Sequence, residues 1–282
     1  MVACAVPEPD SGWSLHEILI VDNNPSGSAE PVVQELAAET NAPLTYAHEP
    51  SPGIVAARNR ALTEASGEIL VFLDDDEVAL PGWPDGLLRT METSGAALVG
   101  GPVVSEFIEE PPQWVIDSGF FELPPQPDGS VPTWLSTCNI AIDLVKTRPE
   151  NLTFDARYPH GEDGAFSRLA ASKGLGLRWS ATAEVKEFVE PVRTTVAWRC
   201  NRHRISTDAW VRVDLDLDPS LKSQATIVAK AGYRFVEGVV TMAAGLATRS
   251  EAKRYSGLAL IAQARGGIEG LIRHRRSPQP AI

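Results

Sequence analysis

The sequence predicts a doubly wound, Rossmann-like α/β fold, with a mostly parallel sheet flanked by helices and a helical C-terminal extension. Three observations predict it. Near-continuous apolar runs at residues 17–22 and 69–73 suit strands covered on both faces. Helical patterns alternate with them over the first hundred residues, the signature of crossover-linked strands. From about residue 194 the chain turns helical, and residues 226–276 read as two amphipathic helices.

The elements follow in order. Glu17-Ile-Leu-Ile-Val-Asp22 is strand, and Asp22-Asn23-Asn24-Pro25 is turn chemistry. Ser28 can cap a helix over 31–39, and residues 44–46 form a short strand. A second helix covers 53–65 and closes at Gly67. After the strand at 69–73 the pattern loosens into a Pro- and aromatic-rich stretch, 102–132, followed closely by Trp134. Its length suggests a functional loop, expected to close over a bound substrate. Order returns with a strand over 136–142 and a helix over 163–173 ended by Gly174. The basic run Arg199-Cys-Asn-Arg-His-Arg204 follows.

Bulk composition narrows the function classes. The 282 residues hold 25 Lys and Arg against 37 Asp and Glu, a net charge of −12. That balance argues against general affinity for nucleic acid or anionic lipid, so a nucleotide ligand needs a local site. Cys4, Cys138 and Cys200 are scattered and odd in number, which suggests neither a disulfide framework nor a zinc cluster and fits a reducing cytoplasm. The longest apolar stretch, 239–247, is too short to span a bilayer. A cytoplasmic protein is expected, with peripheral membrane contact left open.

The chemistry concentrates in a few acidic positions. Asp74-Asp75-Asp76-Glu77 follows a buried strand directly, where an α/β sheet presents ligand-binding groups. Four adjacent carboxylates repel one another and are best tolerated around a cation, and carboxylates select Mg²⁺ or Mn²⁺ that bridge to diphosphate oxygens. The competing reading is a solvated acidic turn. Asp22 ends an earlier strand in the same way, as ligand contact or as ordinary turn residue. Arg58 lies in a helix, and periodicity leaves it open whether it reaches a nucleotide or the solvent. Glu162 and Asp163 open a helix after Gly161, where carboxylates serve as helix caps or as a general base. His160 beside them reads as a loop residue.

Taken in order, these motifs resemble the family 2 glycosyltransferases, inverting enzymes of the GT-A fold. The resemblance rests on Glu17-Ile-Leu-Ile-Val-Asp22, Pro52-Gly-Ile-Val-Ala-Ala-Arg-Asn59 with Gly67, Phe72-Leu-Asp-Asp-Asp-Glu77 with Pro81-Gly-Trp83, Cys138-Asn139, and Gly161-Glu-Asp163 with Arg168. It covers about 17–204, which implies a catalytic domain over 1–204 and a helical extension over 205–282.

The resemblance implies a sugar transfer from a nucleoside-diphosphate sugar, UDP being the commonest nucleotide, to an acceptor hydroxyl or amine. Asp22, Arg58, Asp74 and Asp75 would contact the nucleotide. Asp74 and Asp76 would form the DXD motif, with Asp76 as direct ligand to Mg²⁺ or Mn²⁺. Asp163 would be the catalytic base with Glu162 beside it, and Trp134 and Asn139 would shape the sugar and acceptor pocket. Lys186 and Glu187 stand where many relatives place a metal-binding His, so Glu187 is a further candidate ligand.

Relatives carry an additional strand and base-holding loop before the strand that ends at Asp22. Here residues 2–6, or a segment of another subunit, are expected to cover the open strand edge. The acceptor class stays open between a small molecule, a glycan, a lipid-linked carrier and a carrier-protein-bound intermediate, as does self-association. No nucleic-acid partner is expected. The rival readings are a GT-A scaffold that binds a sugar nucleotide or partner without turnover, and a sugar-phosphate nucleotidyltransferase. The latter wants a Gly-rich basic loop near the N-terminus, which the sequence lacks.

Overall fold

The computed structural model describes residues 7, 11–40, 42–122, 124–158 and 160–276. The chain divides into two compact units, one built from 1–104 and 124–187 and the other from 105–123 and 188–282. The boundary expected at 204/205 falls inside a helix, Val196–Leu217.

In the first unit, β1 (Ile18–Asp22), α1 (Glu30–Glu39), β2 (Leu44–His48), α2 (Ile54–Glu64) and β3 (Ile69–Leu73) alternate as the sequence predicts. β4 (Glu77–Ala79), α3 (Trp83–Ser94) and β5 (Leu98–Gly100) come next. β6 (Val103–Phe107) and β9 (Val185–Val189) are the strands in which the chain passes between the units. Between them run α4 (Gln113–Asp117), β7 (Asn139–Asp143), α5 (Leu144–Thr147), α6 (Glu162–Ser172) and β8 (Leu177–Trp179).

β1 and β2 pair in parallel, and a four-stranded sheet has the order β3-β7-β5-β8. In it β3, β5 and β8 point one way and β7 runs against its two neighbours, so the sheet is mixed. A third sheet has the order β4-β9-β6. The core beneath the strands is aliphatic and aromatic, with Leu98, Ile140, Ile142, Phe154 and Phe166 nearly inaccessible. Leu98, Ile140 and Ile142 come from the buried strands β5 and β7, Phe166 from the inner stripe of α6 and Phe154 from the segment before it, and their packing holds the strand ends in place.

One local expectation changes. α1 starts after Ala29 without a side-chain cap, so Ser28 does not cap it; Asp22 Oδ2 accepts the Ala29 N–H at 2.8 Å just ahead of the helix. Among the described residues β1 has a strand partner on one edge only, and a cleft of about 1230 Å³ separates it from β3. Residues 2–6, expected at that edge, lie outside the described residues.

The second unit consists of three long helices, α7 (Val196–Leu217), α8 (Leu221–Thr248) and α9 (Glu251–Arg276), with the segment 105–122 packed among them. Glycines set their spacing. A Cβ on Gly257 of α9 would lie 2.6 Å from the Gly238 carbonyl oxygen and from the Met242 nitrogen of α8. Only a residue without a side chain permits that approach.

The aromatic stretch belongs largely to this packing, which corrects its reading as a closing lid. Trp114 is buried with Val115 and Ala252, and its ring lies 5.0 Å from Tyr255. Phe107 and Phe121 meet edge-to-face at 5.2 Å, and Arg199 covers the Phe120 ring at 4.7 Å. Burying these rings contributes more than leaving them free to move, so this part of the stretch is core.

Candidate active site

The acidic run forms a tight turn at the end of β3. The Glu77 N–H donates to the Asp74 carbonyl at 3.2 Å, and a Glu77 carboxylate oxygen accepts the Asp74 N–H at 3.1 Å. Asp75 and Asp76 are exposed at its tip and Asp74 is half-buried. The cleft between β1 and β3 runs up to this turn, and Arg58, Asp74, Asp75 and Asp76 are among its lining residues.

Arg58 is buried at 7% exposure on the inner face of α2, next to Val55 and Ala61. Its guanidinium lies 3.6 Å from Asp74 Oδ1, forms a close ion pair with Glu162, and covers the Phe154 ring at 5.9 Å. The sequence-predicted groups on α2, β3 and α6 therefore meet at one cation. A buried guanidinium, with planar donors in a fixed fork, can engage two carboxylates at once in defined directions.

Asp163 follows Glu162 at the start of α6. Its Oδ2 accepts the Ser136 hydroxyl at 3.1 Å and its Oδ1 accepts the Gly164 N–H at 2.7 Å. Burial, then the adjacent Glu162 charge, raises its pKa above the ordinary carboxylate value; the Gly164 bond, Arg58 and Ser136 act against them. Burial thus outweighs the helix N-terminus, which alone would hold the carboxyl ionised and weakly basic. A base tuned upward is the more effective proton acceptor near neutral pH.

The other side chains divide between the site and its frame. Asp22 is buried and engaged on both oxygens, by Ala29 N–H and by Asn24 N–H at 2.8 Å, with the Tyr46 hydroxyl at 3.1 Å. Those bonds hold its pKa below the usual range, and in this geometry it shapes the loop after β1. Asn139 is 1% exposed; its amide donates to Pro102 and Ala183 carbonyls at 3.0 and 2.7 Å and its oxygen accepts Trp83 Nε1 at 2.8 Å. With each of these bonds directed inward, its amide ties the start of β7 to Pro102, Ala183 and Trp83. Trp134 is 41% exposed in the segment leading to β7. His160 is exposed.

Sequence reasoning missed Ser136, which orients Asp163 and also lies 3.0 Å from the Cys138 sulfur. Its one signal is its place two residues before the Cys138-Asn139 pair. The Cys138 thiol is pushed up by burial first and then by the Glu77 charge, so it stays protonated.

The donor set suits a hard divalent cation. Glu77 and Glu187 are direct partners across the antiparallel β4 and β9 pair, an arrangement that costs stability when both are charged. Burial, followed by the charges of Asp74, Glu187 and Asp76, pushes Glu77 up to about 8 against the pull of the Asp74 N–H bond. Among the described residues no three carboxylate, His or Cys side chains are grouped as a complete metal cage. Mg²⁺ characteristically takes only one or two protein carboxylates and completes its shell with substrate phosphates and water. Asp74 and Asp76 at the mouth of the cleft match that mode.

An α/β sheet presents acidic groups at the end of β3, with a buried Arg–Glu pair and a carboxylate at a helix start behind them, the layout of a ligand site at strand ends. The comparisons with known proteins agree. Residues 10–141 match the model of Glycosyl transferase family 2. Over 240 residues, 84% of this chain and 76% of the relative, the chain is 32% identical to the succinoglycan biosynthesis protein ExoM of Rhizobium meliloti. A shorter match, 30% identical over 90 residues and covering 32% of this chain and 30% of the relative, is to glycosyltransferase AglE of Haloferax volcanii. Among solved structures, GalNAc-T7 with UDP, GalNAc and Mn²⁺ shares the fold at a TM-score of 0.53 and 14% identity, over 98% of this chain and 53% of that one. The chain belongs to glycosyltransferase family 2, has the GT-A fold and is a glycosyltransferase. No helix among the described residues is long and apolar enough to cross a membrane.

Proposed function

We propose that the chain transfers a sugar from a UDP-linked donor to an acceptor hydroxyl or amine with inversion at the anomeric carbon. One observation carries this reading: Arg58 lies 3.6 Å from Asp74 and pairs with Glu162, so the donor-side acidic turn and the Glu162–Asp163 pair belong to one constellation. Asp163 then accepts the acceptor's proton while Ser136 fixes the orientation of its carboxylate. Arg58 and Glu162 neutralise each other and keep Asp74 and Asp163 in place. Asp74 and Asp76 would hold Mg²⁺ or Mn²⁺, whose charge offsets that developing on the departing nucleoside diphosphate. Asp75, Arg58 and Asp22 are assigned to the nucleotide side and Trp134 to the sugar and acceptor side. UDP follows from the family resemblance, and GalNAc-T7, which shares the fold, holds UDP and Mn²⁺.

The scaffold reading, donor binding without turnover, draws on a different observation: β1 and β3 flank a cleft and share no ladder among the described residues. A panel of nucleotide sugars separates the two. Slow cation-dependent hydrolysis of one UDP-sugar, abolished by chelator, supports the enzyme; tight binding of a donor with no hydrolysis in any metal supports the scaffold.

A further inference from the structure

Asn23 stands apart from its neighbours in the turn after β1. Asp22 and Asn24 hold that turn together, accepting the N–H groups of Asn24, Ala29 and Ser26. Asn23 reaches out of it instead, across 26 to 30 residues of sequence, to the segment 49–53. Its Nδ2 donates to the Glu49 carbonyl at 2.8 Å and the Ser51 carbonyl at 2.7 Å, and its Oδ1 accepts the Gly53 N–H at 2.8 Å. Both amide donors and the amide oxygen are thus engaged, each by backbone groups. The Glu49 N–H closes the same connection, donating to the Asp22 carbonyl at 2.9 Å. The set calls for an amide. An aspartate would keep the bond from Gly53 and turn its second oxygen toward two carbonyl oxygens, acceptor against acceptor.

That segment delivers α2. Gly53 is the residue just ahead of the helix and has φ +119°, a conformation that residues with a Cβ rarely adopt. Arg58 follows in the second turn, where it pairs with Glu162 and lies 3.6 Å from Asp74. Asn23, Ile54, Ala57 and Arg58 are all among the lining residues of the cleft that runs up to Asp74. The path from the end of β1 to the buried guanidinium is therefore short: one side-chain amide, the start of the helix, and Arg58. We propose that Asn23 is a positioning residue of the donor site, fixing the start of α2 and through it the place of Arg58 beside Asp74 and Glu162. The inference rests on the assignment of Arg58 to the nucleotide side.

Calorimetry of UDP binding in Mn²⁺ tests it, on the full chain and in two backgrounds. With the rest of the chain wild type, Asn23→Ala should weaken UDP about fivefold, the worth of roughly one net hydrogen bond. Asn23→Asp, nearly the same size, should weaken it at least as much. In the Arg58→Met/Glu162→Leu background no guanidinium remains to be placed, and Asn23→Ala should change affinity less than about twofold. A merely structural asparagine would weaken binding equally in both. Gly53→Ala reads the same connection without touching Asn23, since its Cβ would meet open space yet strain the helix start. It should weaken UDP as Asn23→Ala does. Wild-type affinity in Asn23→Asp or Gly53→Ala overturns the inference and leaves the donor reading standing, as does an equal loss from Asn23→Ala in both backgrounds. A wild type that binds no UDP overturns the donor reading and the inference with it.

Discussion

The guanidinium of Arg58 and the carboxylate of Glu162 form a buried ion pair across 104 residues of sequence. It ties α2 to the start of α6 and so fixes where Asp163 stands relative to the turn at Asp74. Such a pair positions; as a source of net stability it is weak, because both charges gave up their hydration.

Removing one partner is a different matter. Arg58→Met should destabilise the protein by about 3–5 kcal/mol, since Glu162 would be left charged and buried. Arg58→Met/Glu162→Leu should recover most of that loss while remaining inactive. Urea unfolding of the four proteins checks both statements, and an additive double variant would show that the two side chains do not act as a pair.

Asp76 carries the metal assignment. Asp76→Asn should leave the melting temperature near that of the wild type and remove the part of UDP affinity that depends on Mg²⁺ or Mn²⁺, because a neutral amide is a poor ligand for a hard dication. Calorimetry of UDP binding with and without chelator reads this directly. Equal chelator sensitivity in both proteins contradicts it.

The glycine contact between α8 and α9 sets two effects against each other. Helix propensity alone would make Gly257→Ala stabilising by about 1 kcal/mol. The added Cβ would however meet backbone atoms of Gly238 and Met242 at 2.6 Å, and backbone cannot move aside without parting the helices. Crowding should win, with a net loss of roughly 1–3 kcal/mol in urea unfolding.

His203 gives the helical unit an acid limb. Burial, then Arg199 and Arg202, depresses its pKa from 6.5 to about 4. Phe120 lies 5.2 Å from its ring and the Gln263 amide 2.8 Å from Nδ1. A depressed folded-state pKa contributes stability that is complete above about 6.5 and lost as pH falls through about 4. His203→Gln should therefore show a smaller drop in melting temperature between pH 7 and pH 4 than the wild type. An identical drop would place the acid sensitivity elsewhere.

How much of this was legible in the sequence depends on range. The strand at 69–73, the acidic turn after it and the helix start at Glu162 were readable because each is a local pattern of a few residues. The partnership of Arg58 with Glu162 was not, since helix periodicity placed Arg58 on a face without naming what faces it. Glu77 opposite Glu187 is a strand register, and β4 and β9 are too short and polar to announce themselves. Asn139 shared a motif with Cys138 and was read as a pocket residue, while the bonds that consume its amide come from Pro102, Ala183 and Trp83, far away in sequence. The aromatic stretch failed for the same reason: long, Pro-rich sequence looks like a loop until Val196 and Tyr255 are brought against it.

The base is the center of the account, and one measurement addresses it: sugar transfer per folded molecule by Asp163→Asn, with donor binding measured on the same preparation. Amide substitution preserves size and the bonds to Ser136 and Gly164 while removing basicity. Transfer should fall by about two to four powers of ten with donor affinity retained. The wild-type rate should rise with pH through a value above the ordinary Asp range, because Asp163 must lose its proton to act. Wild-type transfer by Asp163→Asn, with Glu162→Gln inactive, would move the base to Glu162 and contradict the assignment.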